Sequence, residues 1–237
     1  MQLSAPIYVL KRKAKLLARD SGIALHQALD RVAIGEGFQS WSHLMSAPAS
    51  GRRVYDVLSQ LGSGDLVLIA ARRGQGKTLL GLELAAKASQ LRRKGYFFTL
   101  DYHEREIVDR LSTIGVDPSS IDENLVLDTS DDVSAEHIIG TLTDEREPTL
   151  IVIDYLQLLD QKRTNPSLDD QIKSLQNYVI GTGTICAVIS QIDRSFDLNE
   201  KSMPDISDVR LPNPLDLSAF RKLLFLHDGK IQFDQAA

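Results

Sequence analysis

The sequence is short of the features that mark several large classes of protein. A single cysteine, Cys186, in 237 residues leaves no intramolecular disulfide framework, and a reducing, cytoplasmic setting is expected. Five histidines (His26, His43, His103, His137, His227) show none of the short paired spacings that hold a structural zinc. No apolar run approaches the roughly 18 residues that cross a bilayer. Met1 to Ser21 carries cations where a secretory leader would be apolar. Neither secretion nor membrane insertion is expected. Excess positive charge is also missing: 27 Lys and Arg against 32 Asp and Glu give a net charge of −5. A generally basic nucleic-acid coat is thereby excluded, and any contact with DNA or RNA must be local. What remains, 43% hydrophobic and 25% charged residues, suffices for a full globular core.

The charge is unevenly divided. Residues 1–50 hold six Lys or Arg (Lys11, Arg12, Lys13, Lys15, Arg19, Arg31) against three acids (Asp20, Asp30, Glu36), a net +3, so the remainder carries −8. The stretch Ala47-Pro48-Ala49-Ser50-Gly51 has linker composition and falls where the balance changes, which places a domain boundary near residue 50. Before it, Leu10, Ala14 and Leu17 recur at helical spacing beside a cationic face. A second helix is marked by Leu25, Ala28, Leu29 and Val32 and ended by Gly35 or Gly37. A third, with Trp41, Leu44 and Met45, completes a small all-helical module whose cationic face is a candidate for contacting phosphates or a protein or nucleic-acid partner, the alternative being an ordinary solvated face.

From residue 51 to 237 the pattern changes to apolar runs of strand length separated by helical segments: Leu66–Ala70, Tyr96–Leu100, Leu125–Leu127, Leu150–Ile153, Ile185–Ile189 and Leu223–Leu226. Nearly continuous apolar strands alternating with helices imply an α/β domain, a mostly parallel sheet covered on both faces. Such sheets bind ligands at the carboxyl ends of their strands. The last run and Ile231–Phe233 flank an Asp228-Gly229 step that favours a hairpin.

The first strand runs into Ala71-Arg72-Arg73-Gly74-Gln75-Gly76-Lys77-Thr78, followed by Leu80, Leu84, Ala88 and Leu91 at helical spacing. This is a P-loop in its strand, loop, helix context, although its first position is Ala71 where glycine is usual. Its N–H groups and the helix dipole suit a polyphosphate such as ATP. Lys77 would neutralise the β- and γ-phosphates, and the Thr78 hydroxyl would ligate Mg2+. Leu150-Ile151-Val152-Ile153-Asp154 supplies the second magnesium requirement, an acid at the end of a buried strand beside the P-loop. Asp101 and Gln191 also end sheet strands and can face the same crevice, Asp101 to orient water or, alternatively, to cap the helix after it. Glu104 and Glu106 are expected on that helix, facing solvent.

Three strings together resemble the ATPase domain of the DnaB-type replicative helicases, within the RecA-like P-loop NTPase fold. They are Ala70-Ala71-Arg72 with Gly76-Lys77-Thr78, Ile153-Asp154-Tyr155-Leu156-Gln157-Leu158-Leu159, and Ser190-Gln191-Ile192-Asp193-Arg194-Ser195. The resemblance continues through Ser207-Asp208-Val209-Arg210, covers about residues 54–227, and includes a family tolerance for alanine at the Ala71 position. It implies the phosphate and magnesium roles for Lys77 and Thr78, the Walker B role for Asp154 and a γ-phosphate sensor role for Gln191. The family's catalytic glutamate is replaced by Asp101, which withdraws the carboxylate by roughly 1.5 Å; misplacement of that order lowers rates about a hundredfold. The family's Lys-x-Arg finger on a later strand has no counterpart before Ala237, leaving Arg163, Arg194, Arg210 and Arg221 as candidate substitutes. Single-strand contacts would fall on loops 160–166 and 194–214, where Phe196 is the one aromatic residue.

These readings imply an ATP- and Mg2+-dependent, helicase-related ATPase with weak hydrolysis, acting as a homo-oligomer on or near single-stranded DNA. The alternative is an ATP-gated regulatory or accessory protein.

Overall fold

Strands that are apolar on both faces must be covered on both faces, and the chain is organised by that requirement. The computed structural model describes residues 7–38, 40–41, 44, 49–100, 102–113, 116, 124–131, 133–160, 165–198, 201–211 and 213–235. Within them, β1 (Leu66–Ala71), β2 (Lys94–Thr99), β3 (Leu125–Asp128), β4 (Thr149–Asp154), β5 (Ile185–Gln191), β6 (Lys222–His227) and β7 (Lys230–Gln235) form one sheet in the order β3-β2-β4-β5-β1-β6-β7. All neighbours are parallel except β6 and β7. That pair closes through Asp228 and Gly229, both at positive φ (47° and 75°), as the Asp-Gly step predicts. Every predicted strand is present to within two residues at each end.

Side-chain alternation sorts the core into two layers. Leu66, Leu68, Ile151, Ile153, Cys186 and Val188 face one side, covered by α6 (Ala135–Thr141) and α7 (Leu168–Thr182). Val67, Ile69, Leu150, Val152, Ala187 and Ile189 face the other, covered by α3 (Ala49–Leu58), α4 (Lys77–Ala86) and α5 (Glu104–Thr113). Helix α4 lies so close to β2 that a Cβ on Gly95 would meet the Ala85 carbonyl oxygen within 1.9 Å, which requires glycine there. Buried Gln171 fastens α7 across the opposite layer: its Oε1 accepts from Ala135 N at 3.0 Å, and its Nε2 donates to the carbonyls of Leu159 at 2.6 Å and Pro166 at 3.0 Å.

The amino-terminal helices α1 (Ile7–Ser21) and α2 (Leu25–Gly35) pack their own cluster, built on Leu10, Ala14, Ala28, Val32, Ala33 and Leu44. Leu25, read into the buried stripe, opens α2 and is 44% exposed, and Ala33 is buried in its stead. Gly37, at φ 87°, ends the helix as anticipated. Of the third helix, Trp41 and Leu44 are helical while Met45 lies outside the described residues. The stretch read as a linker is helical from Ala49, because Val54, Val57 and Leu58 recruit the segment onto the sheet. Among the described residues no helix is long and apolar enough to cross a membrane.

Candidate nucleotide-binding site

The phosphate loop leaves the carboxyl end of β1 and turns through Gly74 and Gly76, whose φ values of 84° and 87° are in the left-handed region. Nothing lies within 4 Å of a Cβ built on either, so backbone conformation, not crowding, calls for glycine there. Gly76 is the N-cap of α4 and supplies no side-chain cap. The first amides of a helix have no partner inside it, and here they are presented beside the loop. Lys77 and Thr78 open the helix and are half-buried; Arg73 is exposed.

Register brings the other expected residues to the same edge. Ala71 pairs with Gln191 across β1 and β5, and Asp154 with Thr99 across β4 and β2. The strand beside the P-loop strand is therefore β5, ending in Gln191, and the strand carrying Asp154 lies one place further, contrary to the adjacency read from sequence. Alternation sets Asp154 in step with Leu150 and Val152, and Gln191 in step with Ala187 and Ile189, on the α4 side. Asp154 is 2% exposed. The Asp154–Tyr155 peptide is cis. Asp101 lies outside the described residues. The helix after it begins at Glu104, its flanking His103 N–H is taken by Glu106 Oε2 at 3.1 Å, and Glu104 and Glu106 are exposed as expected.

Two locks on the loop were not visible in the sequence. Arg72 donates through Nε and Nη2 to the two carboxylate oxygens of Asp197, at 3.0 and 2.5 Å, and through Nη1 to the Ile192 carbonyl at 3.2 Å. This hydrogen-bonded ion pair raises the Arg72 pKa and lowers that of Asp197. Gln75 accepts from Asp228 N at 3.1 Å and donates to Asp228 Oδ1 at 3.5 Å, tying the loop to the β6–β7 turn. The partners are 125 and 153 positions apart, and no spacing rule links them. The loop is thus positioned from both sides while its centre stays open.

The donor set fits a magnesium triphosphate: open amides, one lysine, one hydroxyl and one buried carboxylate. Among the described residues no cluster of three or more His, Cys, Asp or Glu could hold a metal alone. Magnesium is usually held by one or two protein groups together with substrate phosphates, the number that Thr78 and Asp154 would supply.

The chain is 27% identical to the replicative DNA helicase DnaB of Mycoplasma genitalium, over 72% of this chain and 44% of that protein. The chain therefore spans less than half the length of this curated relative. No family model matches. A solved ATPase domain of another protein superposes with a TM-score of 0.59 at 20% identity, covering 76% of this chain and 75% of that one. A DnaB-like replicative helicase, solved in a study of its interactions with primase, gives 0.58 at 18% identity, covering 92% and 65%. The fold is that of a DnaB-type, RecA-like ATPase domain. A KaiC-like protein, PH0186 of Pyrococcus horikoshii, shares the wider architecture at a TM-score of 0.53 and 15% identity, covering 68% and 70%.

Two cavities lie beside the segments expected to meet single strands. Lys162 and Arg163 lie outside the described residues. A cavity of about 590 Å³ is lined by Asp160, Asp169 and Asp216 together with Asn213 and Leu215. A second cavity, of about 380 Å³, is lined by Asp193, Arg194 and Arg210. Arg210 N donates to the Gln191 carbonyl at 2.7 Å, so this basic cavity adjoins the end of β5. Lys201 is engaged by Asp205 at 2.8 Å and Asp208 at 3.0 Å. Phe196, read as the available aromatic, is 2% exposed and packs edge-on against His227, with centroids 5.0 Å apart; burial in the core removes it from base stacking. Arg221 sits at the opposite end of the sheet, 3.6 Å from Asp65.

Proposed function

We propose that this chain is an ATP-binding, Mg2+-dependent ATPase of DnaB type, helicase-related, which acts as a homo-oligomer on or near single-stranded DNA in the cytoplasm and turns over slowly. The observation that carries the reading is the convergence of an open P-loop, Asp154 and Gln191 on one face of one sheet edge. In it, the loop and α4 amides hold the polyphosphate and Lys77 neutralises its terminal groups. Thr78 and Asp154 are the residues that would hold Mg2+, which when bound supplies Lewis-acid stabilisation of the phosphoryl oxygens. Gln191 senses the γ-phosphate, and Asp101 orients the attacking water from a carboxylate one methylene short. Arg194 and Arg210 offer the single strand its phosphate contacts next to that sensor.

The test is ATP turnover with and without single-stranded DNA, together with mass measurement in each nucleotide state. Slow turnover that rises with single strands, and a nucleotide-dependent assembly, is the expected result. Failure to bind ATP would end the proposal.

A second reading, an ATP-gated regulator, is favoured by Asp101 and by the Arg72–Asp197 pair that joins the P-loop to the segment after β5. It predicts ATP-dependent assembly without turnover. Under the first reading Asp101→Glu quickens hydrolysis, and under the second it leaves hydrolysis absent.

A further inference from the structure

The geometry points to a second nucleic-acid surface, separate from the nucleotide edge: the exposed basic face of α1, which takes the phosphate backbone of a DNA or RNA strand. On a helix advancing 100° per residue, Lys11, Lys15, Arg19 and Arg12 fall within an arc of roughly 100°, and the first three form a row spaced by about 6 Å along the axis. All four are exposed. Among the described residues, none of them pairs with a carboxylate. The acids of this region are otherwise placed. Asp30 accepts from Trp41 N at 2.8 Å, Glu36 lies beyond the end of α2, and Asp20 is in the last turn of α1.

Like charges at i and i+4 destabilise a helix by about 0.2–0.5 kcal/mol per pair, and the row contains two such pairs. The first turn of α1 holds no acid to favour the helix dipole. An arrangement that costs the free helix stability is relieved when an anion of matching spacing binds along it. A lipid surface does not fit, because the apolar stripe that would enter it, Leu10 and Ala14, is already buried at 1% and 0% exposure against α2. Charge complementarity selects a polyanion, and the linear row selects one with regularly repeated charges. The net +3 of residues 1–50 beside −8 elsewhere favours that attraction at this end of the chain.

The experiment uses the full chain and a fluorescein-labelled oligonucleotide of about 30 residues, single-stranded or duplex, with anisotropy followed across salt concentration. The variant carries Lys11→Gln, Lys15→Gln and Arg19→Gln, exposed changes to a good helix former. The expected result is binding about tenfold weaker near 0.1 M salt, with a log K against log salt slope shallower by about 2.7 for duplex or about 2 for single strands. ATP affinity and the circular dichroism spectrum should be unchanged, which separates failure here from failure of the nucleotide site. Equal affinity and slope in variant and parent would overturn the inference. So would competition by polyglutamate as effective as by unlabelled DNA, since the surface would then serve acidic polypeptides.

Discussion

The two ends of the sheet carry similar polar groups and treat them in opposite ways. At the amino end the groups satisfy one another. Asp65, 1% exposed, accepts from Gly62 N at 2.6 Å and pairs with the Lys222 ammonium, which also reaches the Gln60 carbonyl. Arg93 donates to the carbonyls of Thr149 at 3.0 Å and Gly183 at 2.8 Å. Glu145 accepts from Tyr96 at 2.7 Å and Lys94 at 3.2 Å. At the carboxyl end, two glycines hold an open loop and α4 begins without a side-chain cap. Saturated polar groups fix strands in register, whereas unsatisfied ones are donors and acceptors kept for a ligand. On the proposed function, the amino end serves stability and the carboxyl end binding.

The sharpest way to break this contrast is to exchange the effects. Asp65→Ala leaves the mostly buried Lys222 ammonium without its carboxylate and the Gly62 amide without its acceptor, and should lower the unfolding free energy by about 3 kcal/mol. Denaturant titration followed by far-ultraviolet circular dichroism reads the sheet, while Trp41, the one tryptophan, reports the amino-terminal helices separately. ATP affinity of the folded variant should stay within about twofold, a change of some 0.4 kcal/mol. A large loss of affinity at unchanged stability would contradict the division.

Lys77→Ala is the mirror experiment. Losing a charge-assisted contact to phosphate should weaken ATP binding by about tenfold to a hundredfold. Stability should move by no more than about 0.5 kcal/mol, because the lysine opens a helix beside an open loop. Calorimetric titration with ATP decides it: unaltered affinity in a folded variant removes the P-loop assignment.

The sheet was legible because its strands are buried on both faces, so runs such as Leu150–Ile153 and Ile185–Ile189 stand out without any partner being known. The P-loop was legible because its chemistry is contiguous. What the sequence hid depends on tertiary approach. Phe196 follows β5 and looks like a loop aromatic, yet it turns into the core against His227. Strand order is likewise unwritten in chain order, so β5 intervenes between Asp154 and the P-loop strand. The Arg72–Asp197 and Gln75–Asp228 locks join residues that only the folded sheet edge brings together. Ala49, Ser50 and Gly51 read as a linker because small residues favour loops, but the apolar residues after them set the conformation.

A smaller effect compares the ends through acid. Hydrogen bonds from Tyr96 and Lys94 hold the Glu145 carboxyl down to about 2, from an ordinary 4.5. The Arg72 hydrogen bonds likewise depress Asp197 at the other end. A folded pKa below the unfolded one means that stability is fully present above the ordinary carboxylate value and is lost as pH falls through the folded value. Both groups therefore lose stability in acid, Glu145 between about pH 4.5 and 2. They differ in exposure, with side chains 17% accessible for Glu145 and 53% for Asp197, so solvent screens the second pair more strongly. Glu145→Gln should flatten the pH dependence of unfolding in that window, whereas Asp197→Asn should change it by about 0.5 kcal/mol or less, an amount that added salt removes. If the two substitutions flatten the curve equally in low and high salt, the amino end holds no more firmly than the carboxyl end, and the contrast between them fails.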